Sequence, residues 1–170
     1  MREILFRGKC VDTGKWYEGQ YINLHKTTFC FAVSEQRERE NEIHQIVFDR
    51  MTDWDLPNEH LRVDVLPETV GQYTGLTDKN GKKIFEGDIL SVTVREIVKE
   101  CGIRKFTGNT IKTVWSVEYA ERRSQGNGFY VFGKDRRFSL GLTKSVIYNV
   151  NPEVIGNIHD NPELLKGADQ

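Results

Sequence analysis

Cysteine is scarce in this chain: three among 170 residues, Cys10, Cys30 and Cys101, far apart and without a C-x-x-C pair. That argues against a disulfide framework and against a zinc knuckle, and points to a reduced, cytoplasmic protein. Long apolar runs are also missing. The longest clean one, Phe29–Val33, is far below the ~18 residues of a membrane helix, and the opening MREILFRGK lacks the apolar stretch of a secretory signal. A membrane is therefore not an expected partner. Nor does charge of one sign prevail: 24 Lys+Arg against 25 Asp+Glu leave a net charge of −1, which advertises neither nucleic acid nor a lipid surface. G-x-G-x-x-G, G-x-x-x-x-G-K-[ST] and G-x-S-x-G do not occur, so neither a phosphate cradle nor a nucleophile elbow is written in the chain. The four histidines, His25, His44, His60 and His159, have no metal-ligand spacing. The expectation is no metal and no cofactor.

What is present is a β-rich, soluble composition, 38% hydrophobic and 29% charged, long enough to bury a core. Residues 3–9 read as a strand, Asp12–Lys15 as a turn and Trp16–Ile22 as the returning strand of a hairpin. Thr27–Val33, rich in aromatic and β-branched residues, reads as another strand. Residues 35–42 are almost wholly polar and read as a solvated loop in preference to a short exposed helix, with extended segments at Glu42–Phe48 and Leu61–Val65 and a helical turn within Asp53–Asn58. Asn80-Gly81 predicts a type I′ hairpin turn between Thr69–Gly75 and a long strand, Lys83–Val98. Gly87 interrupts that strand and is read as a bend that takes it round the corner of a small barrel. Lys112–Ala120, Phe129–Phe132, Phe138–Leu142, Val146–Val150 and Glu153–Ile158 follow as extended segments around a hairpin loop at Glu121–Gly128. Asn161-Pro162-Glu163 opens a short closing helix, because Asn caps, Pro suits the first helical position and Glu complements the helix dipole.

Two stretches echo each other. Asp12–Gly19 and Asp78–Gly87 both run from a polar turn to aromatic, Glu, Gly, and Pro67–Tyr73 matches Pro152–Ile158 as Pro-Glu-x-[Val/Ile]-Gly-[Gln/Asn]-x. Reuse of the same turn chemistry explains both more simply than duplication. The residues 67–90, PETVGQYTGLTDKNGKKIFEGDIL, resemble the centre of the YopX family of phage and prophage proteins. EVIGNIHDNPELL at 153–165 resembles its closing segment, and MREILFRGKCVDTGKW its start. Gly71, Gln72, Tyr73, Gly75, Asn80, Gly81, Glu86, Gly87, Asp88, Gly156 and Asn157 carry this signature. The resemblance implies a phage-derived, mostly β, cytoplasmic protein of the bacterial host, and supplies no catalytic residues. The expected fold is thus mainly β: a small SH3-like or Greek-key barrel over 67–170, an N-terminal β unit with an acidic loop region over 1–66, and a short C-terminal helix.

Charge is uneven along the chain. Ten acids oppose four arginines between Glu35 and Glu68, whereas ten bases oppose five acids between Arg95 and Arg137. Those bases are Arg95, Lys99, Arg104, Lys105, Lys112, Arg122, Arg123, Lys134, Arg136 and Arg137, interleaved with Phe106, Trp115, Tyr119, Phe129, Tyr130 and Phe132. Cations that track phosphates and rings that stack on bases are the equipment of a single-strand binder. The same asymmetry suits assembly of an acidic with a basic surface. Three readings of function follow. The first is a non-enzymatic macromolecule-binding module that self-associates and meets a phage or host protein. The second is a nucleic-acid-binding module using 95–137. The third is an enzyme whose site is assembled across loops around Glu86, Asp88 and His159, since residues two apart on a strand share a face. Simpler roles at this level are a backbone clasp for one of Glu86 and Asp88 with the other solvated, a turn position for His159, and a core position for Cys30.

Overall fold

A computed structural model describes residues 3–100, 103–122, 126–133 and 139–166, with the backbone alone given for 96–100 and 103–106. The chain divides into two compact units, Met1–Tyr73 and Thr74–Gln170.

The first unit begins with β1 (Phe6–Lys9) and β2 (Trp16–His25), followed by a short helix α1 (Glu35–Asn41), β3 (Glu42–Arg50) and β4 (Glu59–Asp64). A 3₁₀ turn at Pro67–Thr69 leads into β5 (Gly71–Thr77), which runs across the boundary between the units. The strands are antiparallel in the order β4-β3-β2-β1-β5. Gly19 is where β2 passes from pairing with β1 to pairing with β3. A Cβ there would lie 2.1 Å from the Val47 carbonyl oxygen, so only glycine permits the approach. Ile46, Val65 and Cys10 are buried in this unit, and the Tyr17 and Phe48 rings stack at 5.3 Å.

The second unit continues with β6 (Lys83–Phe85), β7 (Asp88–Glu100), β8 (Ile103–Arg122), β9 (Gly126–Gly133), β10 (Ser139–Gly141), helix α2 (Lys144–Val150), β11 (Glu153–Asn157) and helix α3 (Glu163–Lys166). Strand β6 extends the first sheet through the β5–β6 hairpin, and a second sheet has the order β10-β9-β8-β7-β11. Register puts Leu90, Val92, Trp115, Val117 and Val131 on one face of that sheet. With Ile84 they form the core, against which Val146, Ile147 and Val150 of α2 pack.

The fold is therefore mixed, two open antiparallel sheets with short helices. Among the described residues neither sheet closes, which overturns the expected SH3-like or Greek-key barrel. Gly87 is the reason. It has φ +81°, and together with Glu86 it makes a turn that ends β6 and starts β7 in the other sheet, so no single strand bends around a corner.

Local corrections have equally local causes. Thr27–Val33 is not a strand. Asn41 accepts the Thr27 N–H at 2.9 Å and donates to the Thr27 carbonyl at 2.6 Å, which occupies that residue's backbone groups, and Phe31 is exposed. The polar stretch read as a loop in preference to a short exposed helix is the helix α1, capped by the Ser34 hydroxyl and carrying i,i+4 pairs between Glu35 and Arg39 and between Gln36 and Glu40. Val146–Val150 is helical, capped by Thr143, and turns its apolar positions to the core. The Asn80-Gly81 turn is not type I′, because only Gly81 has positive φ. Asp78 N–H donates to the Lys82 carbonyl and Gly81 N–H to the Asp78 carbonyl, the pattern of a three-residue loop closed by a glycine bulge. Cys30 is exposed in the 26–34 loop, not in the core.

Candidate functional site

Strands β7 and β8 are much longer than their neighbours. β11 pairs with β7 only over Asp88–Ser91, and β9 with β8 only over Trp115–Arg122. Beyond those points, residues 92–100 and 103–114 pair only with each other among the described residues, a two-stranded arm whose base is packed: Val92 is buried in the core and Val94 packs against it. Register breaks between Arg95–Thr110 and Ile97–Phe106, leaving one residue on β7 opposite three on β8. Gly108, with φ +86°, lies in this bulge, which bends the ribbon.

Half of the expected basic set lies on this arm. Lys99 is in register with Arg104, and Lys105 with Val98. The exposed Arg95 and Lys112 stand on one face as diagonal neighbours, since Arg95 opposes Thr110 and Thr93 opposes Lys112. Next to Arg95, a hollow of about 590 Å³ is lined by Thr93, Thr110 and the α2 residues Asn149 and Val150. Arg122 is elsewhere, ten residues further along β8 and therefore ~34 Å away, with its guanidinium 5.3 Å above the Phe132 ring. Arg123, Lys134, Arg136 and Arg137 lie outside the described residues. The aromatics do not form a stacking face. Trp115, Tyr130 and Phe132 are buried, Phe129 is half-buried edge-on to Tyr119, and Tyr119 is half exposed, while the side chain of Phe106 lies outside the described residues.

Of the Glu86, Asp88 and His159 set, the structure places His159 beside Gly87, the residue between the two carboxylates. A Cβ on Gly87 would be 3.7 Å from His159 Nε2, and the Gly87 carbonyl accepts the Ile158 N–H at 2.8 Å. Both carboxylates hold backbone: buried Asp88 accepts from Phe85 N–H at 2.8 Å and Glu86 from Tyr119 N–H at 3.3 Å. Of the signature residues, Asn157 accepts the N–H groups of His159 and Asp160, and Gly156 gives room to Asn161. Gly71 pairs with Arg7 and Tyr73 N–H donates to Leu5, while Gln72 opposes Phe6. Gly75 has positive φ. The echoed Gly71 and Gly156 strands belong to different sheets.

Two features were not foreseen. Tyr21 Oη lies 2.6 Å from His44 Nδ1, and His44 Nε2 lies 3.1 Å from Glu42 Oε2. An ionised Glu42 can only accept, so a neutral His44 carries its proton on Nε2 and the Tyr21 hydroxyl donates to Nδ1. Burial, and then the Glu42 charge, raise the pKa of Tyr21, which keeps it a phenol. The cross-strand register that joins these residues has no signature in sequence. The second is the β3–β4 loop, where Met51, Trp54 and Leu56 are exposed, Trp54 to 86%. The loop is held by Leu56 N–H to the Asp53 carbonyl at 3.3 Å, the Thr52 hydroxyl to the Pro57 carbonyl at 3.0 Å and Trp54 N–H to Asp53 Oδ1 at 2.7 Å.

Among the described residues no three His, Cys, Asp or Glu side chains gather as a metal set, and no helix is long and apolar enough to cross a membrane. No curated protein matches the chain. Among solved structures it is similar to the crystal structure of protein EF1440 from Enterococcus faecalis, at 25% identity over 97% of this chain and 99% of that one, with a TM-score of 0.49. The family model described as YopX protein matches residues 5–166, and the chain belongs to the YopX family.

Proposed function

We propose that this protein is a macromolecule-binding module that acts without catalysis and self-associates. The observation that carries the reading is the β3–β4 loop: an indole 86% exposed between Met51 and Leu56, on a turn already fixed by its own hydrogen bonds. A large aromatic anchor that is ordered before contact loses little freedom on binding, and such residues dominate protein interfaces. The engagement of Glu86 and Asp88 with backbone N–H groups also favours binding over acid–base chemistry by those carboxylates. Sedimentation velocity over a concentration series tests the reading. The native protein should associate and Trp54→Ser should weaken association by tenfold or more with an unchanged melting temperature. A native protein that stays monomeric throughout, or a variant that associates as well as the native chain, refutes self-association through this loop.

A second reading is nucleic-acid binding. The concentration of Arg95, Lys99, Arg104, Lys105 and Lys112 on a single two-stranded arm favours it. A cytoplasmic setting in a bacterial host, and a phage or host protein as a further partner, belong to the same proposal.

A further inference from the structure

We infer that the protein forms a two-fold dimer in which β4 pairs with β4 of a second copy and Trp54 of each copy enters a hollow of the other. The inference rests on the proposed self-association through the β3–β4 loop and says what that loop meets. Strand β4 (Glu59–Asp64) ends the first sheet, so one of its sides carries no strand among the described residues. The register shows which backbone groups point to that side. Val65 N–H donates to the His44 carbonyl at 2.9 Å, so the Val65 backbone faces β3, and with no slip in the pairing so do those of Val63, Leu61 and Glu59. His60, Arg62 and Asp64 alternate with them and turn their N–H and C=O groups outward. The Asp64 carbonyl fits this parity, since it accepts Val11 N–H at 3.0 Å. The open stretch is therefore His60–Arg62, a row of main-chain donors and acceptors that a second strand can complete.

Symmetry and side chains select the register. A two-fold axis at Leu61 sets the outward groups of His60 opposite those of Arg62 of the second copy, and the reverse, with two main-chain hydrogen bonds in each pair. An axis at Arg62 would set that arginine against itself, and an axis at Val63 would need the Asp64 carbonyl, which Val11 holds. With Leu61 on the axis, Phe48 and Leu61 continue into their counterparts as one apolar row, because Phe48 opposes Leu61 across β3 and β4. Leu61 and Val63 are half-buried beside the buried Ile46, and a second strand completes their cover. On the other face the row runs Asp49, His60, then Arg62 of the second copy, so the carboxylate 2.6 Å from His60 Nδ1 stands toward an incoming cation. The same register brings Asn58 opposite Asp64 and so carries the β3–β4 loop past the far end of the other strand. There each copy has a hollow of about 660 Å³, lined by Val11, Ile43, Val65 and Pro67 together with Glu42 and Asp64. An indole needs apolar cover for its ring and one acceptor for its N–H. The aliphatic lining and the two carboxylates offer both to Trp54, which is 86% exposed in its own copy.

The test is sedimentation velocity of the full chain over a concentration series, with amide hydrogen exchange measured at both ends of that series. Exchange at His60 and Arg62 should slow by about tenfold or more as dimer replaces monomer, whereas Leu61 and Val63, already bonded to β3, stay slow throughout. Val11→Glu places a carboxylate in the hollow from an exposed position, so the melting temperature should hold. Dimer affinity of that variant should fall by about tenfold or more. An equimolar mixture of the Val11→Glu and Trp54→Ser proteins should associate better than either alone, because the mixed dimer keeps one intact indole facing one intact hollow. A native chain that stays monomeric refutes the self-association reading and this inference together. Val11→Glu at native affinity, exchange at His60 and Arg62 that ignores concentration, or a mixture no better than its components overturns this inference; the reading itself then stands if Trp54→Ser still weakens association. Assemblies that keep growing beyond a dimer overturn the two-fold arrangement.

Discussion

Asp78 shows how much one side chain can organise. It is buried at the start of the β5–β6 turn. Its Oδ1 accepts N–H groups from Asn80 and Lys82 at 2.8 and 2.9 Å, and its Oδ2 accepts from Val154 on β11 at 3.1 Å. Burial pushes its carboxyl up, but the three backbone donors and the nearby Lys82 charge outweigh burial and the pKa is lowered. A carboxyl with a lower pKa folded than unfolded stabilises the protein above its unfolded value, and that contribution disappears as pH falls through the folded value. Asp78→Ala should cost about 2–4 kcal/mol in chemical denaturation at pH 7, because three backbone donors lose their partner. The gap between native and variant should narrow in acid below about pH 4, and a gap independent of pH would contradict this account.

Gly87 is the other residue on which the fold turns. A Cβ there meets Ile158 Cγ1 at 3.6 Å, ordinary contact, so the obstacle is its φ of +81° and not space. Gly87→Val should cost about 1–3 kcal/mol, and an unchanged unfolding midpoint would show that the turn relaxes freely. The importance of this glycine is legible in sequence as a break in a β run. That the break separates two sheets is not, since nothing local to residues 83–98 specifies which strands β6 and β7 will join.

At the scale of elements, hairpins read well and solitary segments read poorly. The pairs at 6–25 and 112–132 have alternating apolar residues and polar turns, and both sides of each pair lie within the same short stretch. Thr27–Val33 has the same composition but no partner strand; its path follows Asn41, a residue fourteen positions away. Asn41→Ala should therefore release the 26–34 loop, with amide exchange at Thr27 rising and stability falling by about 1–3 kcal/mol. Unaltered exchange at Thr27 would mean that the loop is held by other contacts. Helix α1 is only the second choice of a hydropathy reading because it has almost no apolar face. Its support is a serine cap and charged i,i+4 pairs, each small alone. Helix α2 escapes that reading for the opposite reason: Val146, Ile147 and Val150 suit either period until a sheet face is there to receive them.

At the scale of the whole molecule, the charge segregation is written plainly in the sequence, but its arrangement in space is not. Of the bases between 95 and 137, five come together on the β7–β8 arm, while Arg122 lies at the other end of β8 over the rings of Tyr130 and Phe132. Of the interleaved aromatics that suggested a stacking surface, Trp115, Tyr130 and Phe132 are buried, and one sequence does not say which face of a strand is covered. The Trp54 loop and the Tyr21–His44–Glu42 chain were equally invisible. Exposure of an indole and contact across a strand register are both properties of the assembled chain. By itself the sequence determined the β character, the position of the main turns, the family and the absence of any contiguous catalytic motif, because these rest on residue type and short spacing. Only the tertiary structure decided that the sheets stay open, that polar residues 35–41 are helical and that five of the ten basic positions fall on one two-stranded ribbon. Each of these depends on which distant strand supplies the next row of hydrogen bonds, a choice set by long-range packing.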